Sequence, residues 1–197
     1  MNDYSDIIKY TIKESIETKE KILTNLTTQI NQIGNFLADA VSQNKTLLFC
    51  GNGGSAADAQ HIVAELVIRY RSNINRRAIK AIALTVDPSI MTAGGNDIGF
   101  DNIFAREVEA YSSKGDVLIG ISTSGNSSNV KKAIEYANSN GVSTIALLGG
   151  NGGDIKGIST MEIIVPSNIT ARVQESHIMI GHIWCDIIER KLFPDLF

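Results

Sequence analysis

Residues 116–141 read DVLIGISTSGNSSNVKKAIEYANSNG, a continuous apolar run, a turn rich in hydroxyl side chains, and a helical pattern that ends at a glycine. A strand whose residues are nearly all apolar is typical of a parallel sheet that is buried on both faces. Gly141 is a stop signal for the helix that follows the turn. The segment therefore predicts one strand–loop–helix unit of an α/β protein.

Four other apolar runs have the same character and are separated by helical patterns. They are TLLFCG at 46–51, IKAIALTV at 79–86, STIALLG at 143–149 and MEIIVP at 161–166. We predict a three-layer α-β-α sandwich, doubly wound, with a parallel sheet of five strands. In such sheets ligands bind beyond the carboxyl ends of the strands, where loops lead into helices.

The first 44 residues predict a long N-terminal helix. No proline occurs from 3 to 44, and apolar residues recur at steps of three and four, with Gly34 as the expected position of any break. The repeating residues are Ile12, Ile16, Leu23, Leu26, Ile30, Ile33, Leu37 and Ala40. We interpret 1–44 as an oligomerisation helix and 45–197 as a single globular unit, because heptad-like spacing suits packing against another helix. Packing of the helix on its own domain is the alternative.

Composition excludes several classes of protein. The chain has 197 residues, 43% of them hydrophobic, and a net charge of −3, so it suits one core and does not favour a nucleic-acid partner. The cluster Arg69, Arg71, Arg76 and Arg77 is expected to bind a local anion or to form an interface.

The first residues resemble no targeting segment, and no apolar run reaches the roughly 20 residues that span a bilayer, so we expect a soluble, cytoplasmic protein. Cys50 and Cys185 lie in apolar segments and are expected to be buried, reduced thiols.

A glycine-rich turn, CGNGGSAADAQH at 50–61, follows the first strand. Its glycines allow a ligand to approach the backbone closely, and Ser55 is expected to begin the next helix. The spacing matches neither the dinucleotide-binding nor the P-loop pattern, so no nucleotide is expected. A plain tight turn is the alternative.

The hydroxyl-rich turn after the strand at 116–123 is a candidate phosphate site. Hydroxyl groups and backbone N–H groups at a helix N-terminus bind a phosphate without a fixed positive charge. The candidate residues are Ser122, Thr123, Ser124 and Ser127. Capping of the following helix would need only one of these hydroxyl groups, so capping alone does not explain the run. An ordinary polar loop is the alternative.

Titratable side chains lie on two predicted helices. His61 and Glu65 are spaced i and i+4, so they share one helix face and can reach one substrate or one metal. On the last helix, Gln174 and His182 are eight residues apart and lie within about 80° of each other around the axis. His177 lies on a different face and is interpreted as structural.

Four segments together resemble one protein family: CGNGGSAADAQHIVAEL, GGNDIGFDNIFAREVEA, DVLIGISTSGNSSNV and TARVQESHIMIGHIWCDIIE. They resemble the phosphoheptose isomerases of the sugar-isomerase (SIS) domain family over nearly the whole chain. The resemblance implies a flavodoxin-like fold and a cytoplasmic homotetramer. It also implies conversion of D-sedoheptulose 7-phosphate to D-glycero-D-manno-heptose 7-phosphate, the first step of nucleotide-activated heptose synthesis for lipopolysaccharide or capsule, without a nucleotide cofactor.

The same resemblance implies roles for individual residues. Glu65 and His182 would be the acid–base pair. The phosphate would lie on Ser122, Thr123, Ser124 and Ser127. The other substrate contacts would be Asn52, Gly53, Gly54, Ser55, Glu65, Asn96, Asp97 and Gln174. One zinc ion per subunit would be bound by His61, Glu65, Gln174 and His182.

Two alternative functions belong to the same family. One is a non-catalytic SIS module that binds the replication initiator, which the presence of both Glu65 and His182 disfavours. The other is an SIS enzyme that acts on another sugar phosphate. We also consider that Gln174 and His182 complete a neighbouring subunit's pocket, and that the tail KLFPDLF at 191–197 contacts a partner instead of packing on its own protein.

Overall fold

The computed structural model of the protein describes residues 3–197. The strands are β1 (Leu47–Gly51), β2 (Ala81–Ala83), β3 (Val117–Ser122), β4 (Ser143–Gly149) and β5 (Met161–Val165). The α-helices are α1 (Ser5–Asn25), α2 (Thr27–Ser42), α3 (Gly54–Val67), α4 (Pro88–Asp97), α5 (Ile103–Tyr111), α6 (Ser128–Ser139) and α7 (Thr170–Leu192). Short 3₁₀ turns occupy Phe100–Asn102, Gly153–Ile155 and Pro194–Leu196.

The strands form one parallel sheet in the order β2-β1-β3-β4-β5. Every residue of β1 and β3 is buried, as their continuous apolar sequences predict. Strand β2 is shorter than the predicted run at 79–86, because this edge strand pairs with β1 through only three residues. The prediction of five parallel strands is confirmed.

Helices cover both faces of the sheet. On one face, Phe49, Ile119 and Leu147 pack with α2, α3 and α7 through residues such as Leu37, Ile62 and Trp184. On the other face, Leu48, Leu118 and Leu148 pack with α5 and α6 through Phe104 and Ile134. Alternate residues of each strand thus enter different cores, and the three-layer prediction is confirmed.

The N-terminal helix breaks at Leu26, not at Gly34 as the sequence predicted. Leu26 lies between α1 and α2 with φ −117° and ψ −6°. Gly34 is buried inside α2, where an added Cβ would lie 2.6 Å from Cδ1 of Ile187 and 3.2 Å from Cδ1 of Trp184. The glycine therefore allows α2 to pack closely on α7, and it does not interrupt the helix.

The apolar stripe of the N-terminal region divides between these two helices. On α2, residues such as Ile33 and Leu37 lie in the core beneath the sheet. On α1, Ile12, Ile16 and Leu23 remain 55%, 51% and 71% exposed, respectively. An apolar groove of about 630 Å³ also lies between α1, α2 and α7. Part of the stripe on α1 is therefore not packed on its own domain, although Ile22 of α1 is buried in the core.

Both cysteines are buried and unpaired, as predicted. Burial raises the pKa of Cys185 to about 12, so this thiol stays protonated near neutral pH. Among residues 3–197, no helix has both the length and the apolar character needed to cross a bilayer.

Candidate active site

The two ligand loops lie side by side at the carboxyl edge of the sheet. Strands β1 and β3 are neighbours, and the chain proceeds from them toward opposite edges, which is where doubly wound proteins bind ligands. The side-chain amides of Asn52 and Asn129 donate to each other, at 2.8 and 2.9 Å, and so join the two loops. Sequence reasoning missed Asn129, whose only signal is its place in the first turn of the helix after the hydroxyl-rich loop.

The glycine-rich loop allows α7 to approach the start of α3. Gly53 precedes α3 with φ +56°, a conformation that favours glycine, and the helix begins at Gly54, one residue before the predicted Ser55. The amide of Gln174 lies so close to Gly54 that an added Cβ would overlap it. The loop therefore fixes the contact between α3 and the first turns of α7.

The hydroxyl-rich loop provides an open helix N-terminus. The Ser122 hydroxyl is buried, lies 3.0 Å from the Ser127 hydroxyl, and accepts from the N–H of Gly125. Ser127 occupies the N-cap position of α6 but does not cap the helix with its side chain. The N–H of Val130 donates to Oδ1 of Asn129, and the N–H groups that precede it at the start of the helix are suited to an anion.

A cavity of about 490 Å³ opens beside this loop, a size typical of small-molecule sites. Thr123 and Ser124 line one side of it. The other lining residues come from the loops after β4 and β5 and the start of α7: Gly149, Gly150, Asn151, Ser167, Asn168, Thr170 and Val173. The hydroxyl-rich loop is thus part of a concave surface, as a phosphate site requires.

Residues 150–155 support this loop from behind. The N–H of Ile155 donates to the carbonyl of Gly125 at 3.0 Å, and the N–H of Asp154 donates to Oδ1 of Asn126 at 3.1 Å. Gly125 has φ +70° and lies against the backbone of Gly152. This support was not predicted, although the run GGNGGD at 149–154 is a signal for it.

His61, Glu65 and His182 come together within one chain. Nε2 of His61 lies 2.9 Å from Nε2 of His182 and 3.4 Å from Oε1 of Glu65. One ligand atom from each residue lies within 4.8 Å of the others. His182 therefore meets Glu65 of its own chain. That Gln174 and His182 also complete a neighbouring subunit's pocket stays a prediction. His177 is buried against the Leu148 carbonyl at 3.0 Å, which confirms its structural interpretation.

This cluster has the donors and the spacing of a zinc site. Partial burial, and then the neighbouring His61, lower the pKa of His182, while Glu65 opposes the shift. Neutral imidazoles and a carboxylate are usual zinc ligands, and tetrahedral ligands about 2.0 Å from the ion lie about 3.3 Å apart. The observed separations of 2.9 and 3.4 Å are close to that value. The three residues therefore fit a metal ion.

The other predicted site residues lie apart from this cluster. Gln174 precedes His182 by eight residues, about 12 Å along α7, and contacts Gly54 instead. Asn96 and Asp97 are exposed at the end of α4, where the Asn96 amide donates to Asp97 at 2.7 Å. Their roles as a metal ligand and as substrate contacts stay predictions.

The sequence profile that describes the SIS domain matches residues 10–149. The chain belongs to the SIS domain family. Within it, the chain is 48% identical to the phosphoheptose isomerase of Leptospira biflexa serovar Patoc over 191 residues, covering 97% of this chain and 98% of that protein. It is 52% identical over 192 residues to the phosphoheptose isomerase of Clostridium acetobutylicum, covering 96% and 97%. The resemblance seen in the sequence motifs is thereby confirmed.

A solved SIS structure agrees with this assignment. A phosphoheptose isomerase from Francisella tularensis superimposes with a TM-score of 0.91 and 35% sequence identity, and the match covers 96% of this chain and 100% of that chain. The N-terminal helices and the five-stranded sheet of this SIS chain are therefore those of a phosphoheptose isomerase fold.

One buried carboxyl group of this SIS domain was not expected from the sequence. Glu107 lies on α5 with only 5% of its surface exposed, and its Oε2 atom has no hydrogen-bond partner among residues 3–197. Burial, and then the charge of Asp87, raise the pKa of Glu107 to about 7. The folded protein therefore favours the protonated carboxyl group.

Glu107→Gln is expected to stabilise the protein at about pH 8 by roughly 2–3 kcal/mol, and to have little effect near pH 4. An unfolded glutamate titrates near pH 4.5 and the folded one near 7, so wild-type stability is lost as the pH rises between these values. Urea unfolding of both proteins at the two pH values measures the difference. An equal gain at both values would show that the substitution acts through packing and not through the charge.

Proposed function

We propose that the protein is a phosphoheptose isomerase that converts D-sedoheptulose 7-phosphate to D-glycero-D-manno-heptose 7-phosphate. The observation that carries this proposal is the convergence of His61, Glu65 and His182 in one chain. The chain matches phosphoheptose isomerases along almost its whole length, which supports the same reading. The non-catalytic SIS module has no comparable use for an acid–base cluster.

The hydroxyl-rich loop would bind the phosphate group of the substrate. Thr123 and Ser124 face the cavity, and Ser127 stands at the uncapped N-terminus of α6. The proposed contacts of the sugar lie in the glycine-rich loop and at the end of α4: Asn52, Gly53, Gly54, Ser55, Asn96 and Asp97. Binding at the phosphate end orients the reacting carbons and reduces the entropic part of the barrier.

The reaction moves a proton between adjacent carbons through an enediol. Glu65 would take the proton from C1 of the ketose and return it to C2, so that C1 becomes the aldehyde carbon. Meanwhile the O1 hydroxyl loses a proton and O2 gains one, an exchange that we assign to His182. Because the pKa of His182 is lowered, its imidazole is available in the neutral form that accepts a proton.

We propose one zinc ion per subunit, bound by His61, Glu65 and His182. Gln174, the fourth ligand that the family resemblance implies, contacts Gly54 in this structure and would have to turn toward the cluster to bind the ion. When bound, such an ion polarises a sugar oxygen and stabilises the negative charge of the transition state. Glu65 and His182 are then both ligands and proton-transfer groups. The carboxylate of Glu65 has two oxygens and the ring of His182 has two nitrogens, so one atom of each side chain can serve each role.

The proposed assembly is a homotetramer in the cytoplasm. The exposed apolar residues of α1 and the groove beside them suit helix packing between subunits. The product would be the first intermediate of nucleotide-activated heptose synthesis for lipopolysaccharide or capsule.

Conversion of the substrate tests the proposal directly. Purified protein is incubated with sedoheptulose 7-phosphate after chelator treatment, with and without added zinc, and the heptose product is followed by NMR. We expect turnover that depends on the metal condition. Absence of turnover under every condition would favour the non-catalytic module, and turnover only of a hexose phosphate would favour the other SIS enzymes.

Mixing Glu65→Gln subunits with His182→Ala subunits is expected to restore no activity, since both residues of each site come from one chain. The two variants are denatured together, refolded and assayed. If the pair were shared between subunits, about a quarter of the sites in a random equimolar assembly would regain both residues. Recovered activity near that level would contradict the arrangement described above.

A further inference from the structure

A fully buried ion pair joins the segment after α3 to α7. Nε of Arg76 lies 2.6 Å from Oε1 of Glu189, and both side chains are 0% exposed. Removing two charges from water is costly, and buried pairs of this kind are weak contributors to stability. The hydrogen bonds from the pair to neighbouring groups are therefore expected to be more important for the local structure than the attraction between the two charges.

Arg76 caps the end of α3 from outside the helix. Its guanidinium group donates to the carbonyl of Glu65 at 2.7 Å and to the carbonyl of Leu66 at 2.9 Å. These carbonyls belong to the last turn of the helix, which lacks intrahelical donors and contains no basic residue of its own. The backbone of the proposed base is thus held directly by Arg76.

Glu189 holds the other side of the cluster. It follows His182 by seven residues, which is about two turns, so the two side chains lie on the same side of α7. Oε1 of Glu189 also accepts from the N–H of Tyr70 at 3.2 Å. The Tyr70 ring packs against the His182 ring, with centroids 5.7 Å apart. One carboxylate oxygen therefore connects α7, Arg76 and the neighbour of His182.

We propose that Arg76 and Glu189 are positioning residues that fix α3 relative to α7 and so set the geometry of His61, Glu65 and His182. Both side chains are fully buried, so neither is accessible to a substrate. The pair acts through the Glu65 backbone on one helix and through Tyr70 and α7 on the other. The inference rests on the proposed isomerase only where activity is measured.

The test uses Arg76→Lys and Glu189→Gln, with the exposed pair of Arg106 and Glu109 on α5 as the matched control. Arg106→Lys and Glu109→Gln make the same chemical changes away from the site. The chain has three histidines, so the ring nitrogens of His61, His177 and His182 can be followed separately by NMR. This measurement requires neither substrate nor metal.

We expect the His61 and His182 signals to shift in the Arg76 and Glu189 variants, and the His177 signal to stay in place. Zinc affinity, measured by competition with a chelator, is expected to fall about 10–100-fold, as for other residues that orient metal ligands. The kcat should fall more than KM changes. Wild-type signals at His61 and His182 together with wild-type zinc affinity in both variants would overturn the proposal.

A double variant separates positioning from folding. Arg76→Met with Glu189→Met removes both charges, a change that often restores stability lost in single variants. We expect the double variant to fold while the His61 and His182 signals remain shifted. Return of these signals to their wild-type positions would show that the pair is structural only. If the wild-type protein has no isomerase activity but the shifts occur, the positioning role stands and the proposed function fails.

Discussion

Glu65→Gln is expected to lower kcat by about 10³-fold, within the range known for removal of a general base. The amide has the shape of the carboxylate but does not accept the carbon-bound proton. KM should change only a few-fold, because the hydroxyl-rich loop that would bind the phosphate is unaltered. Conversion of sedoheptulose 7-phosphate, followed by NMR at saturating zinc, measures both constants.

Two controls identify the cause of that loss. Glu109→Gln makes the same change on an exposed helix face and should leave turnover intact. Glu65→Asp keeps the negative charge near His61 but withdraws it by one methylene group, so its loss of activity should be intermediate. If Glu65→Gln retained turnover within tenfold of wild type, the proton would have to be moved by another group.

Gly125→Ala is expected to reduce the free energy of unfolding by about 3 kcal/mol and to raise the KM for the sugar phosphate. Gly125 has φ +70°, where a side chain costs about 1–2 kcal/mol. The added methyl group would also overlap the backbone of Gly152, which cannot move aside as a side chain can. Overpacking of this kind costs a further 1–3 kcal/mol or so.

Gly157→Ala is the matched control for that substitution. Gly157 also has positive φ, at +80°, but an added Cβ would meet no atom within 4 Å. It should therefore lose only about 1–2 kcal/mol and keep the wild-type KM. Urea unfolding and kinetics of both variants provide the comparison, and equal losses of stability would mean that the contact with Gly152 is unimportant.

The sequence predicted those features that depend on local pattern. The continuous apolar runs predicted the buried strands, and the i, i+4 spacing of His61 and Glu65 predicted one shared helix face. Gly34 misled because a glycine within a helical pattern indicates either a break or a close helix contact, and only the position of α7 decides between them.

Features that depend on tertiary contacts were not predictable. The hydrogen bond of Asn129 and the raised pKa of Glu107 depend on Asn52 and Asp87, which the fold brings near them from distant parts of the sequence. The arginine cluster was assigned to an anion or an interface. In the structure Arg71 pairs with Asp186, and Arg76 with Glu189, acidic residues more than 100 positions later in the chain.

The reciprocal amide pair of Asn52 and Asn129 has a consequence for ligand affinity. Rotation of either side chain toward solvent would break both of these hydrogen bonds, so the pair holds the loops after β1 and β3 together. Their conformational entropy is lost when the chain folds, before any ligand arrives. Less of the interaction energy with a ligand is then lost to ordering these loops, and a small, strongly hydrated molecule can be bound by few contacts.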